Sequence, residues 1–227
     1  MRTAAILPVK RFPLAKQRLG QSVADPLRLE LARAMVGDVL SALRDCAAID
    51  TTIVVTNEPS VAAASRYLGA TVVEDTADDG QSAAAALGIA CALAQNFERV
   101  LCVPGDCPTL DPRELTALLA TDERGMTIVP DRHGTGTNGL LLMPANALSP
   151  SFGPDSRERH ERLAREAGVS CRVEQPASLL LDIDTGEDLA ALREQLADRH
   201  GGAPRTRAVL GLARATGAVP SHSPRAA

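Results

Sequence analysis

Short strand-like and longer helix-like segments alternate along almost all of this 227-residue chain, and that alternation restricts its architecture more than any other feature. Residues 4–9 are an apolar run of strand length, 52–56 are rich in β-branched side chains, and 70–74 repeat the pattern. Between the first two, residues 26–43 carry Ala32, Met35, Val36, Val39, Leu40 and Leu43 on one helical stripe, and a second helix spans about 59–68. A helix of small residues runs from 82 to about 95, followed by a strand at 99–103 and a helix at 112–120. Strands at 126–130 and 139–143, a helix at 155–168, a strand at 170–173 and a helix at 187–198 complete the series. Such repeated strand-then-helix units fold as a single-domain, mostly parallel doubly wound α/β sheet. The domain is expected over 1–199. The segment 200–227, where Gly, Ala, Pro, Ser and Arg dominate, is expected to be a mobile tail with a short packed helix around Thr206 to Arg214.

Charge and composition exclude several functions. The net charge is -4, yet the first 24 residues hold five cations and no acid, and 200–227 hold four arginines and no acid. The rest is therefore strongly acidic, which speaks against a nucleic-acid coat and permits a local basic pocket. Phe12, Tyr67, Phe97 and Phe152 are the whole aromatic complement, too few for a platform that stacks single-stranded bases. The five cysteines lack the spacing of a disulfide framework or a zinc site and read as reduced, small core residues. No signal peptide opens the sequence, and the longest apolar segment, 83–94, is far shorter than a bilayer span, so a cytoplasmic protein without membrane contact is expected.

The chemistry concentrates where strands end. After the apolar run 100–103, Pro104 and Gly105 turn the chain so that Asp106 leaves the carboxyl end of a strand, where ligands of open α/β sheets bind. Asp106 is accordingly a candidate metal ligand. Asp182 and Asp184 are read as lying on a strand and facing opposite ways, so that only one meets Asp106. Asp184, at the segment's end before Thr185 and a helix start, is taken as the metal ligand, and Asp182 as structural. Carboxylates from two strands, completed by phosphate oxygens and water, are what Mg²⁺ favours. Lys10, Lys16 and Arg18 follow the first strand and can neutralise a triphosphate and a departing pyrophosphate, although no Walker pattern is present. Gly80 and Ser82 open a helix whose free N–H groups suit an anion or a ribose oxygen. In the segment 131–139, Gly134 and Gly136 allow backbone N–H groups to curl around an anion, with Thr and Asn side chains adding neutral hydrogen bonds. Phe152-Gly153-Pro154-Asp155-Ser156 offers one helix cap and a second group, with Gly153, for a phosphorylated ligand.

Together, Leu7-Pro8-Val9-Lys10 with Lys16 and Arg18, Pro104-Gly105-Asp106-x-Pro108, Gly134-Thr135-Gly136-Thr137-Asn138, Phe152-Gly153-x-x-Ser156-x-x-x-His160 and Asp182-Ile183-Asp184-Thr185 resemble the guanylyltransferases of coenzyme F420 biosynthesis. That family uses 2-phospho-L-lactate or phosphoenolpyruvate and shares the fold of the nucleotide-diphospho-sugar transferases. The resemblance implies Mg²⁺ on Asp106 and Asp184, GTP near Pro8, Lys10, Gly80 and Ser82, and a phosphorylated three-carbon acid near Asn138, Gly153 and Ser156. It also implies transient hand-over of the product to the next enzyme of the F420 pathway. Alternatives carried beside it are 3-phospho-D-glycerate as acceptor, a cytidylyl-, uridylyl- or molybdopterin-type nucleotidyltransferase, and a nucleotide-binding regulator. His133 and His160 are not expected to shuttle protons.

Overall fold

The structure is a computed structural model that describes residues 1–12, 16–198 and 202–212. Its seven strands form one sheet: β1 (Thr3–Val9), β2 (Thr51–Thr56), β3 (Thr71–Glu74), β4 (Arg99–Cys102), β5 (Gly125–Pro130), β6 (Thr137–Met143) and β7 (Cys171–Val173), in spatial order β3-β2-β1-β4-β6-β5-β7. The helices are α1 (Asp25–Asp45), α2 (Pro59–Tyr67), α3 (Gln81–Ala94), α4 (Pro112–Leu118), α5 (Ser156–Ala167), α6 (Gly186–Asp198) and α7 (Pro204–Val209). All pairings are parallel except the two made by β6, which runs antiparallel to β4 and β5. The short β5–β6 link explains this, because a parallel return needs a crossover of a dozen residues or more.

Alternation along β1 divides the core. Ala5, Leu7 and Val9 face α1, with Val36, Val39 and Leu43, while Ala4 and Ile6 face α3, with Ala85 and Ile89. Helices α1 and α3 thus cover opposite faces, and the order of connection reverses between β1 and β4. The crevice at their carboxyl ends is the ligand position of such sheets.

Small residues let α3 lie against the sheet. A Cβ on Gly88 would stand 2.3 Å from Ile6 Cγ2, an atom fixed in the core. Gly88→Val is therefore expected to lower stability by about 1–3 kcal/mol, read as a lower urea midpoint at unchanged slope. A midpoint equal to that of the unaltered protein would show that α3 is free to move away.

One expectation needs correction. The expected strand carrying Asp182 and Asp184 does not form: a 3₁₀ turn at Ala177–Leu179 leads into irregular chain up to α6. The Asn138 amide donates to the carbonyls of Leu179 and Leu180 at 3.0 and 3.1 Å, satisfying with a side chain what a strand ladder would otherwise supply. A short packed helix is expected in the tail segment, and the structure has one, Pro204–Val209. Helix α7 docks on α1, where the buried Asp38 carboxylate accepts from the N–H groups of Arg205 and Thr206 at 3.1 and 2.8 Å. Leu210 joins the core formed by Leu31, Met35 and α6. Residues 13–15 of the basic loop, 199–201 and the expected tail beyond 212 lie outside the described residues.

Candidate active site

Three carboxylates meet at the crevice. Asp106 follows β4 through Pro104 and Gly105, and Asp182 and Asp184 sit on the irregular chain before α6. One ligand oxygen from each lies within 4.8 Å of the others. Ile183 N–H donates to the Asp106 carbonyl at 3.2 Å and ties the two segments together. Asp188, in the first turn of α6, accepts from the N–H groups of Asp184 and Thr185 at 3.1 and 2.8 Å and is itself paired with Arg132 at 2.8 Å.

The reading that Asp182 and Asp184 diverge is therefore wrong for two reasons. Residues two apart on extended chain share a face rather than oppose one another, and this stretch is not a strand. Asp182 accepts from the Asn138 amide at 3.1 Å. Burial, and then the charge of Asp106 with that of Asp184, pushes its carboxyl up to about 6, against the pull of the Asn138 hydrogen bond.

Lys16 supplies the counter-charge. Its ammonium donates to Asp106 Oδ2 and to Asp184 Oδ1, the latter at 2.8 Å, bridging residues 90 and 168 positions away in sequence. Burial works against its charge, but the carboxylates of Asp106 and then Asp184 outweigh it and hold the ammonium above its usual range. Among the described residues, Asp106 Oδ1 is buried with no partner. An orphaned carboxylate oxygen beside two further carboxylates is an all-oxygen, anionic donor set, which fits a hard divalent cation such as Mg²⁺.

The cleft has a volume of about 520 Å³, within the range of small-molecule sites. The structure brings Pro8, Lys10, Lys16 and Arg18 to its wall, together with Gly80, Asp106 and Asp184. Gly80 precedes α3 at φ 94°, a backbone conformation that favours glycine. Ser82 is not part of the wall, and its hydroxyl instead accepts the Phe152 N–H at 2.8 Å.

Asn138, Gly153 and Ser156 line the cleft too, but two of them are engaged internally. Both amide hydrogens of Asn138 serve Leu179, Leu180 and Asp182. The Ser156 hydroxyl donates to Thr137 Oγ1 at 3.1 Å. The backbone cradle expected around Gly134 and Gly136 is likewise filled by the chain itself: Asp131 Oδ1 accepts the Thr135 N–H at 2.9 Å, and the Asp131 carbonyl accepts the Gly134 N–H at 3.0 Å.

His160 is fully buried beneath this wall. Its Nδ1 lies 3.1 Å from Thr137 Oγ1, and its Nε2 accepts the Ser151 N–H at 2.9 Å. Burial, followed by the charge of Arg159, lowers its pKa to about 4, against a smaller opposing effect of the Ser156 backbone. A proton shuttle at neutral pH needs a pKa much closer to 7.

This histidine carries a pH prediction. An unfolded chain takes up a proton on it below about 6.5, whereas the folded chain does so only near 4. The neutral form thus stabilises the fold fully above pH 6.5, and that contribution, about 3 kcal/mol, is lost as pH falls to 4. Denaturant titrations at pH 7 and 4.5 should show a larger loss for the unaltered protein than for His160→Leu. Equal losses would contradict a buried neutral imidazole.

From the sequence, the threonines of 131–139 are read only as adding neutral hydrogen bonds, and Asp182 is given only a structural part. Residues two apart on extended chain share a face, which places Asp182 with Asp184.

Comparison with known proteins adds a chemical class. A family described as guanylyl transferase CofC like matches residues 3–210. A relative in Conexibacter woesei named phosphoenolpyruvate guanylyltransferase is 47% identical, over 92% of this chain and 96% of its own. One of the same name in Sphaerobacter thermophilus is 35% identical over 85% of this chain and 93% of its own. Among solved structures, a Desulfovibrio desulfuricans protein classed with the nucleotide-diphospho-sugar transferases superposes with TM-score 0.74 at 16% identity, covering 93% of this chain and 95% of that one, which bears on the fold alone. No helix among the described residues is long and apolar enough to cross a membrane.

Proposed function

The chain belongs to the CofC-like guanylyl transferase family, and from that premise we propose that it joins GTP to phosphoenolpyruvate, releasing pyrophosphate and forming the GMP-linked precursor used in coenzyme F420 biosynthesis. The observation that carries the reading is one cleft in which Asp106, Asp182, Asp184 and Lys16 stand against the 153–156 segment. Asp106 and Asp184, with Asp182 beside them, would hold Mg²⁺, which when bound neutralises charge on the transferring phosphoryl group.

The acceptor's phosphate is already largely dianionic at neutral pH, since its second pKa is near 6. It attacks the α-phosphorus of GTP in line with the departing pyrophosphate, and no general base is needed. The chain's work is positioning and charge neutralisation. Lys10 and Arg18, on the cleft wall, would face the triphosphate, and Lys16, paired with Asp106 and Asp184, adds a further cation beside the reacting phosphates. The Gly80 end of α3 offers free N–H groups to the nucleotide, and Gly153 lies at the acid.

The test is pyrophosphate release from GTP with phosphoenolpyruvate, 2-phospho-L-lactate and 3-phospho-D-glycerate in separate reactions. Phosphoenolpyruvate is expected to give the highest kcat/KM. Preference for another acid would move the substrate assignment, and silence with all three would overturn the function.

A further inference from the structure

Asp75 stands in the same cleft as Asp106, Asp182 and Asp184 but outside their cluster. It follows β3 directly, and its N–H donates to the Thr56 carbonyl at 3.3 Å, which extends the ladder with β2 and fixes the backbone there. The residue is only 6% exposed, yet it lines the cleft. Its Oδ1 accepts the Asp78 N–H at 3.1 Å and so holds the turn that leads to α3. Among the described residues, Oδ2 accepts from nothing and no cation pairs with the carboxylate.

Position on the sheet says which part of a nucleotide this carboxylate meets. Strand β3 is an edge strand, separated from β4 by β2 and β1. Three strand spacings put the carboxyl ends of β3 and β4 about 14 Å apart. With the triphosphate beside Asp106, Asp184 and the basic loop, the ribose crosses the middle of the sheet and the base reaches β3. Gly80, Gln81 and Ala84 at the start of α3 line the cleft too, and a Cβ on Gly80 would meet nothing within 4 Å, so a flat ring has room.

A carboxylate only accepts hydrogen bonds. Guanine alone among the four bases carries two adjacent donors, N1–H and the 2-amino group. Adenine and cytosine place an acceptor beside their amino group, and uracil has one N–H between two carbonyls. Oδ1 keeps a lone pair for N1–H, and Oδ2 takes the amino group. Any other base leaves a buried acceptor unpaired, which penalises its binding.

We propose that Asp75 reads guanine, its carboxylate accepting from N1–H and the 2-amino group, and thereby sets the choice of GTP. The inference rests on the guanylyltransferase reading.

Steady-state kinetics with phosphoenolpyruvate and, in turn, GTP, ITP, XTP and 2′-deoxy-GTP test it. ITP lacks the 2-amino group. With the unaltered protein its KM is expected about 10- to 100-fold above that of GTP, as loss of a hydrogen bond to a charged group implies, and that of 2′-deoxy-GTP within about threefold. Asp75→Asn keeps the turn, because the amide oxygen still accepts from Asp78, but it sets an N–H donor against the guanine amino group. It should raise the KM for GTP by a similar factor and favour XTP over GTP, since xanthine has a carbonyl in place of that amino group. The KM for phosphoenolpyruvate should stay within about twofold, the two sites sharing no partner. A merely structural role would weaken both nucleotides alike. ITP used as readily as GTP overturns the proposal, as does a folded Asp75→Asn that still prefers GTP. A penalty confined to 2′-deoxy-GTP gives the carboxylate to the ribose and overturns it too. Should Asp75→Asn not fold, the nucleotide comparison on the unaltered protein decides. No turnover of GTP by the unaltered protein with any phosphorylated acid overturns the functional reading and this inference with it, whereas turnover with ITP equal to GTP overturns the inference alone.

Discussion

Asp106→Asn is expected to slow pyrophosphate release at least about a thousandfold while leaving the fold intact. The substitution keeps size and shape but removes the charge from the carboxylate whose Oδ1 is buried and, among the described residues, unpartnered, and whose other oxygen accepts from Lys16. It also removes the charge that, after burial, most raises Asp182. The thermal midpoint should therefore hold or rise, since Lys16 keeps Asp184 as a partner at 2.8 Å. Loss of activity without loss of stability identifies a chemical role. Turnover above one tenth of the original at saturating Mg²⁺ would remove Asp106 from the metal site.

Lys16→Met has the second largest expected effect, and it acts in two directions. Turnover should fall by about a hundredfold, because a cation that meets the reacting phosphates is lost. Without nucleotide, however, three clustered carboxylates are left with no bridging ammonium. Breaking a largely buried pair is destabilising, so the variant's thermal midpoint in chelator should drop. A divalent cation then has no internal competitor, and its binding to the nucleotide-free protein should tighten about tenfold, measured with Mn²⁺ by titration calorimetry. An unchanged Mn²⁺ affinity would show that the ammonium and the metal do not share a place.

The parts legible in the sequence were those set by local pattern. The apolar run before Pro104-Gly105 sufficed to put Asp106 at a strand's carboxyl end, and the alternation of strand and helix gave the sheet and the crevice beside β1. The motif residues Pro8, Lys10, Lys16, Arg18, Gly80 and Gly153 reach a single cleft. What local pattern could not reveal was how polar groups far apart in sequence pair with each other. Nothing near Asn138 indicates that its amide is spent on Leu179, Leu180 and Asp182, more than 40 positions on. Nothing near Gly134 shows that Asp131 fills the turn in place of a ligand. Ser82 sits where a nucleotide contact was expected, yet it braces Phe152, 70 positions away. Because these partners come from other elements, side chains that look like ligand contacts in a motif turn out to hold the wall in place. Thr137, in the same motif, turns its hydroxyl to Ser156 and His160.

The most direct test of the account uses phosphoenolpyruvate labelled with ¹⁸O in its phosphate, GTP and Mg²⁺, with both products weighed by mass spectrometry. Attack of the acceptor phosphate on the α-phosphorus predicts one GMP unit joined to the acid with all the label retained, and unlabelled pyrophosphate. Label in pyrophosphate, or free GMP as the guanosine product, would contradict the proposed transfer.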